Sequence, residues 1–166
     1  MKSKLLDFIC CPECKEPLLL KNEGYAQNEI KEGVLECRNA HKYKIINFIP
    51  RFVKADAYSS SFSYEWNRFP ETQLDSRIGY DLSEKQFQGR IDFPLDQIKG
   101  KFVLDAGCGM GRYADIVRKY GGVVFGMDLS YAVESAFKNI GLQENVHVIQ
   151  GDILNHPFKE KIFDFI

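Results

Sequence analysis

An acidic residue followed by alternating glycines is the strongest chemical signal in this 166-residue sequence. The segment Asp105-Ala-Gly-Cys-Gly-Met-Gly111 follows the apolar run Phe102–Leu104 and precedes a helical pattern over Arg112–Tyr120. A buried strand, a glycine loop and a helix form the first unit of a nucleotide-binding βαβ fold. Closely spaced glycines let a ligand approach bare backbone, and an adjacent carboxylate suits a ligand that carries an ammonium group.

The glycine spacing excludes two common phosphate-binding loops. A dinucleotide fingerprint, G-x-G-x-x-G, requires glycine at position 112, where this sequence has Arg112. A P-loop requires Gly-Lys followed by Ser or Thr, which does not follow here. An NAD-dependent enzyme is therefore disfavoured.

Further acids end the next two predicted strands. Val123–Met127 leads into Asp128, 23 residues after Asp105, where a carboxylate can accept hydrogen bonds from ribose hydroxyls. Val146–Gln150 leads into Asp152 after one glycine. Because the carboxyl ends of parallel strands meet at one edge of a sheet, these three acids are predicted to face one cleft.

A second set of residues is typical of a metal site. Four of the five cysteines lie within the first 37 residues, and three of them form the pattern C-x2-C-x22-C-x3-H with a histidine. The predicted ligands are Cys11, Cys14, Cys37 and His41. Three thiolates and an imidazole suit tetrahedral zinc, and four protein ligands leave no open position, so the zinc is predicted to be structural. Cys10 is predicted to be packed rather than to bind the metal.

Short strand-like runs between these ligands predict a small β ribbon of three or four strands. About fifty residues of this kind bury too little apolar surface to fold alone, so the metal is expected to stabilise the ribbon.

Helices are predicted between the ribbon and the glycine loop. Four aromatic residues recur at the spacing of one helix face, namely Tyr58, Phe62, Trp66 and Phe69. Pro70 ends this pattern, which predicts either an amphipathic helix on the core or a lid that uses Tyr64, Trp66 and Arg68. Ser83 is predicted to cap a second helix.

Two helices are predicted beside the glycine loop. The first spans Arg112–Tyr120, and the second spans Tyr131–Ile140 with Ser130 as its cap and Gly141 just beyond its end.

Together, the residues of the C-terminal part resemble the class I S-adenosylmethionine-dependent methyltransferases. The acidic glycine loop, Asp128 and Gly151-Asp152 occur in the same order and at strand ends, over roughly residues 100–166. The resemblance implies a partial Rossmann-like, doubly wound α/β domain that binds S-adenosylmethionine. The cofactor-binding residues that it implies are Asp105, Gly107, Cys108, Gly109, Gly111, Asp128, Leu129, Asp152 and Ile153.

The same resemblance implies a role for each acid. The glycine loop would pass under the methionine part of the cofactor with Asp105 near its ammonium group, Asp128 would hold the ribose diol, and Asp152 would hold the adenine amino group. Two structural alternatives stay open, because Gly109 could serve helix–strand packing and Asp152 could cap a turn. No catalytic residue is nominated, since these carboxylates are assigned to the cofactor.

The N-terminal ribbon is similar to the zinc modules of bacterial ribosomal RNA guanine methyltransferases and to small zinc-ribbon proteins that activate methyltransferases. The predicted organisation is α/β, with a zinc ribbon at residues 1–53, linker and lid helices at 54–99, and the methyltransferase part at 100–166. Such sheets have the strand order 3-2-1-4-5-7-6, and residues 162–166 begin the predicted fourth strand. We therefore expect a chain truncated after strand four, whose exposed last strand is open to a second copy or a partner chain.

These patterns predict an S-adenosylmethionine-dependent methyltransferase, active or an inactive fragment, with an RNA or a small molecule as acceptor. The alternative is a non-catalytic zinc-ribbon scaffold for a partner or RNA. The net charge is −1, with +3 in residues 1–54 and −4 in residues 55–166, which is weak evidence for nucleic acid. No apolar run approaches the ~20 residues of a membrane span, and Asp7 interrupts the short N-terminal one, so a cytoplasmic protein is expected.

Overall fold

The computed structural model describes residues 1–53 and 74–166, which form an N-terminal antiparallel sheet and a C-terminal parallel sheet. The aromatic helix predicted between Tyr58 and Phe69, with the lid residues Tyr64, Trp66 and Arg68, lies outside the described residues. Within the described ranges, no helix is both long enough and apolar enough to span a lipid bilayer.

The ribbon predicted from the cysteine spacing is confirmed as a four-stranded antiparallel meander. Its strands are β1 (Leu18–Ala26), β2 (Glu29–Cys37), β3 (Lys42–Ile46) and β4 (Ile49–Pro50), paired in that order. Two-residue turns join β1 to β2 at Gln27–Asn28 and β3 to β4 at Asn47–Phe48, and all four turn residues have positive φ. Both turns therefore have the left-handed backbone that matches the twist of a hairpin.

The three predicted parallel strands are also confirmed. They are β5 (Phe102–Ala106), β6 (Val123–Asp128) and β7 (Val146–Gln150), with β6 in the centre. On the other edge of β5, Phe165 forms a parallel bridge with Val103. When the strands of the parallel sheet are numbered from β5 in chain order, their spatial order is therefore 3-2-1-4. The predicted fourth strand is present as the single bridge at Phe165.

Short helices surround the parallel sheet. They are α1 (Asp75–Ile78), α2 (Leu82–Gln88), α3 (Arg112–Lys119) and α4 (Ala132–Ala136), with 3₁₀ turns at Ser3–Asp7, Leu95–Ile98 and Ile153–Asn155. The prediction of α3 is correct to within one residue.

The predicted cap of α2 is wrong. The helix begins at Leu82 with Asp81 as its N-cap residue, so Ser83 lies inside the first turn. The carboxylate of Asp75 in α1 accepts the amide hydrogens of Ser83 and Glu84, at 3.0 and 2.8 Å. A side chain from the preceding helix therefore satisfies the free N–H groups that a capping box would otherwise satisfy.

The helix predicted over Tyr131–Ile140 is shorter than expected. The α-helical part ends at Ala136, and a π-helical turn follows over Phe137–Gly141. Gly141 is thus the last residue of that turn rather than a residue beyond it. Ser130 does support the helix start, because its Oγ accepts the amide hydrogen of Ala132 at 3.2 Å.

One apolar cluster joins the two sheets. Buried ribbon residues such as Leu35 and Ile45 belong to the same cluster as Phe125, Ile149 and Phe158 of the C-terminal part. The sheets also meet at their edges, where Arg51, just after β4, forms a parallel bridge with Gln150 of β7. The ribbon thus pairs with the carboxyl end of the β7 edge, where the Phe52 amide donates to the Gln150 carbonyl at 2.8 Å.

Candidate functional site

The structure brings the four predicted metal ligands together. The ligand atoms of Cys11, Cys14, Cys37 and His41 all lie within 4.8 Å of one another. The His41 Nδ1 atom lies 3.4 Å from the sulfurs of both Cys11 and Cys37, and the Cys14 and Cys37 sulfurs are 3.6 Å apart. A tetrahedron with metal–sulfur bonds near 2.3 Å has edges of about 3.7 Å, so the donor set fits zinc.

Two tight turns present these ligands. In the first, the Lys15 amide donates to the Cys11 carbonyl at 2.8 Å, and in the second, the Ala40 amide donates to the Cys37 carbonyl at 2.9 Å. Lys15 and Ala40 both have positive φ, 59° and 63°. Each turn therefore reverses the chain within a few residues and aims two ligands at one point.

Glu13 and Tyr43 surround the ligands, and the sequence analysis did not identify either. The Glu13 carboxylate lies 3.6 Å from the His41 Nε2 atom, and it accepts a hydrogen bond from the Tyr43 hydroxyl at 3.1 Å. That hydroxyl also lies 3.2 Å from the Cys11 sulfur. Carboxylates behind ligating histidines commonly fix the ring orientation. The position of Glu13 inside the Cys-x-x-Cys turn was the signal available in the sequence.

The two cysteines of the first turn differ in their pKa, because burial raises the pKa of Cys11 above its usual value. A hydrogen bond from the Glu16 amide is the largest cause that lowers the pKa of Cys14 to about 6. This pKa favours the thiolate form, which binds metal. Cys10 is buried outside the cluster, with its sulfur 3.5 Å from the Phe158 carbonyl oxygen.

The glycine loop presents open backbone at the carboxyl end of β5. Gly107, Gly109 and Gly111 have φ values of 83°, 53° and 93°. A Cβ atom added at Gly107 or Gly109 would meet nothing within 4 Å, whereas one at Gly111 would meet the Ile140 side chain at 3.0 Å. The alternative that Gly109 serves helix–strand packing is therefore wrong, and packing explains Gly111 instead. The two open glycines leave room for a ligand against the backbone.

Asp128 joins the end of β6 to this loop. Its Oδ2 atom accepts the Gly109 amide hydrogen at 2.9 Å, and its Oδ1 atom accepts from the amide and the hydroxyl of Ser130 at 2.8 and 2.7 Å. The carboxylate is thus held at the loop by three donors. Since a carboxylate has about four acceptor positions, it can still accept from a ligand hydroxyl.

Asp105 lies partly buried beneath the loop. Its Oδ2 atom accepts the Ala114 amide hydrogen at 3.0 Å. Burial is the largest cause that raises the pKa of Asp105 to about 6, and the neighbouring charge of Asp128 contributes to this increase. Both carboxylates therefore create a negative region that a bound ammonium group would relieve.

The other predicted cofactor residues differ in their surroundings. Asp152 accepts the Leu154 amide hydrogen at 2.9 Å, so the turn-capping alternative is observed. Beside it, Ile153 is 57% exposed, and Leu129 is half-buried. The Cys108 side chain is buried, and burial raises its pKa well above the usual value. Only the backbone of Cys108 is therefore suited to face a ligand.

Arg112, directly after the loop, ties α2 to α3. Its Nε atom donates to the Ser83 hydroxyl at 2.9 Å, and its Nη2 atom donates to Gln86 at 2.7 Å. Glu84 accepts from Tyr120 at 2.7 Å on the same helix face. Arg112, whose presence excludes a dinucleotide fingerprint, thus anchors α2 against α3.

Two family matches agree with this geometry. Residues 104–166 match the methyltransferase domain family, and residues 2–45 match the Trm112p-like protein family. These matches and the strand order support a class I methyltransferase domain preceded by a zinc ribbon. More particularly, residues 2–45 are similar to Trm112p-like proteins and lie in the same chain as the methyltransferase part.

Individual proteins are similar over shorter parts. A ubiquinone biosynthesis O-methyltransferase of Coxiella burnetii is 37% identical over 51 residues, which is 31% of this chain and 22% of that protein. The chain thus matches about a fifth of the length of its curated relatives.

Three solved structures are similar over part of the chain. A Methanococcus maripaludis protein is 18% identical with a TM-score of 0.47, over 67% of this chain and 52% of that one. A Pyrococcus horikoshii protein is 26% identical with a TM-score of 0.44, over 60% and 48% of the respective chains. A TehB-like SAM-dependent methyltransferase from Corynebacterium glutamicum is 20% identical with a TM-score of 0.34, over 57% and 47%.

Proposed function

We propose that this chain binds S-adenosylmethionine at the carboxyl edge of the parallel sheet and supports transfer of its methyl group to an acceptor. The observation that carries the proposal is the open backbone at Gly107 and Gly109 beside the fixed carboxylate of Asp128. Bare backbone admits the chain of the methionine part, and the carboxylate accepts from ribose hydroxyls.

Four further predicted residues have roles in this proposal. Asp105 would attract the ammonium group electrostatically, because its own charge is partly buried and has no cationic partner in the contacts described above. Asp152 would accept from the adenine amino group, and the exposed side chain of Ile153 and the half-buried Leu129 would flank the adenine ring.

When bound, the cofactor supplies an electrophilic methyl group on a sulfonium. The described residues bind and orient it, and they hold its charged and polar groups in one place, which lowers the entropic barrier to reaction. The zinc ribbon supplies stability rather than chemistry, since its four ligands close the metal site.

We further propose that the methyltransferase partner of the ribbon is the domain in its own chain. The support is the edge pairing of Arg51 with Gln150 and the shared apolar cluster. A ribbon docked in this way occupies the carboxyl end of the β7 edge of its own domain.

Calorimetric titration of the zinc-loaded chain with S-adenosylhomocysteine tests the proposal. We expect micromolar binding, and Asp128→Asn should weaken it by about 10- to 100-fold, because a hydrogen bond to a charged group contributes about 1.5–3 kcal/mol. Asp96→Asn is the matched control, since Asp96 is an exposed acid in the 3₁₀ turn before β5. No binding at millimolar ligand by the folded native chain would favour the non-catalytic scaffold instead.

A further inference from the structure

Arg51 is a buried cation at the contact between the ribbon and the C-terminal domain. This residue is 8% exposed. Its Nη1 atom donates to Gln150 Oε1 at 3.1 Å, and its Nη2 atom donates to the Ile46 carbonyl at 3.4 Å and pairs with the Glu134 carboxylate. A buried guanidinium needs such acceptors to offset its desolvation. Two of these three acceptors belong to the methyltransferase domain.

Those two acceptors lie on either side of the turn that follows Asp128. Gln150 is opposite Asp128 in the β6–β7 register, and its Nε2 atom donates to the Leu129 carbonyl at 2.9 Å. Glu134 lies in the first turn of α4, which begins immediately after this turn. Arg51 therefore links the strand on one side of the turn to the helix on the other.

We propose that Arg51 is a positioning residue for cofactor binding, an inference that rests on the proposed function. By holding Gln150 and Glu134, it fixes the turn at Asp128 and Leu129, where the ribose and adenine would bind. The ribbon thus contributes to cofactor affinity through Gln150 and Glu134 rather than by direct contact with the cofactor.

The residue after Arg51 connects the same place to the metal centre. The Phe52 amide donates to the Gln150 carbonyl at 2.8 Å, and its ring lies 4.9 Å from that of Tyr43. The Tyr43 hydroxyl contacts Cys11 of the metal site. A continuous path of packed and hydrogen-bonded groups therefore runs from the metal centre to the end of β7.

The first test measures S-adenosylhomocysteine affinity of zinc-loaded variants by calorimetry. We expect Arg51→Ala to weaken binding about ten-fold and Arg51→Lys to recover part of the loss, because an ammonium cannot hold Gln150 and Glu134 as a planar guanidinium does. Arg38→Ala is the matched control, since Arg38 is a ribbon arginine whose side chain is 75% exposed. Its affinity should equal that of the native chain.

A second variant separates positioning from folding. Gln150→Glu keeps an acceptor for Arg51 but replaces the group that donates to the Leu129 carbonyl with a carboxylate oxygen that repels it. We expect the variant to retain its zinc and to fold, with a lower thermal midpoint because a buried carbonyl loses its donor, while affinity measured well below that midpoint falls about ten-fold. Gln143→Glu, the same change at an exposed position, is the control. This variant decides the question if Arg51→Ala fails to fold.

A double-mutant cycle completes the design. If Arg51 acts through the turn at Asp128, then Arg51→Lys should weaken binding much less in an Asp128→Asn background than in the native chain. The inference about Arg51 would be overturned if the affinity losses of Arg51→Lys and Asp128→Asn were additive, or if both Arg51→Lys and Gln150→Glu bound within two-fold of the native chain. Either result would leave the proposed function intact. Absence of binding by the native chain would overturn the proposed function and this inference with it.

Discussion

At the scale of residues, two carboxylates at neighbouring strand ends have different surroundings. Asp128 accepts three hydrogen bonds, whereas the contact described for Asp105 is one amide at 3.0 Å. Asp105 is also the carboxylate whose pKa is raised, to about 6. Three donors contact the Asp128 carboxylate, whereas burial penalises the charge on Asp105. In the ligand-free protein, the charged form of Asp105 therefore destabilises the fold. Such a carboxylate is common where a ligand supplies the missing cationic partner.

Asp105→Asn should make the ligand-free protein more stable near neutral pH. Because the pKa of Asp105 is higher in the folded state than its ordinary value near 4, the folded state binds more protons between about pH 4 and pH 6, and stability falls as pH rises through that window. The variant lacks this penalty, so its advantage in free energy of unfolding should grow from pH 4 and reach on the order of 2 kcal/mol above pH 6. Urea unfolding at several pH values measures it.

The same variant should bind S-adenosylhomocysteine more weakly, since it lacks the charge for the ammonium group. A stability difference that stays constant from pH 4 to pH 7 would contradict the assignment of the raised pKa to Asp105.

At the scale of elements, the sequence predicted the strands, helices and turns that are determined by the local residue pattern. The strand–loop–helix unit at Asp105 and the two Cys turns are local, so residue type and spacing were sufficient. The β1–β2 turn has Gln27–Asn28 rather than the usual Asn-Gly, and its left-handed geometry follows from strand pairing instead. The cap from Asp75 comes from a neighbouring helix, and the hydrogen bond from Arg51 to Gln150 joins residues 99 positions apart. Periodicity carries no signal for such tertiary partners.

The glycine loop yields a prediction that separates ligand binding from packing. Gly109→Ala places a methyl group in open space at φ 53°, so we expect a loss of about 1 kcal/mol in unfolding free energy but a large loss of cofactor affinity. Gly111→Ala meets Ile140 at 3.0 Å and is strained at φ 93°, so its stability loss should be larger, about 2–3 kcal/mol. Urea unfolding and calorimetry measure the two effects. Equal stability losses would show that the loop glycines share one structural role.

At the scale of the whole molecule, the ribbon and the parallel sheet form one structure. Phe48, in the turn before β4, stacks on Phe137 of the π-helical turn with ring centroids 5.2 Å apart. Lys2 donates to the carbonyls of Gly141 and Val146 at 2.7 and 3.0 Å. These contacts, with the shared apolar cluster, couple the ribbon to the sheet at several separate points. Metal binding should therefore stabilise both parts.

Cobalt substitution can test this coupling, because thiolate-bound tetrahedral Co²⁺ absorbs visible light and reports on the ribbon alone. Far-ultraviolet circular dichroism reports on the helices, which in the described part lie almost wholly outside the ribbon. We expect both signals to be lost at the same urea concentration, since one shared core makes unfolding cooperative. Cys11→Ser should abolish the cobalt spectrum and lower the midpoint of the dichroism transition, whereas Cys10→Ser, next to it but outside the ligand set, should preserve both. Loss of the cobalt signal while the helices persist would show that the ribbon unfolds independently, and would remove the structural basis for its contribution to the cofactor site.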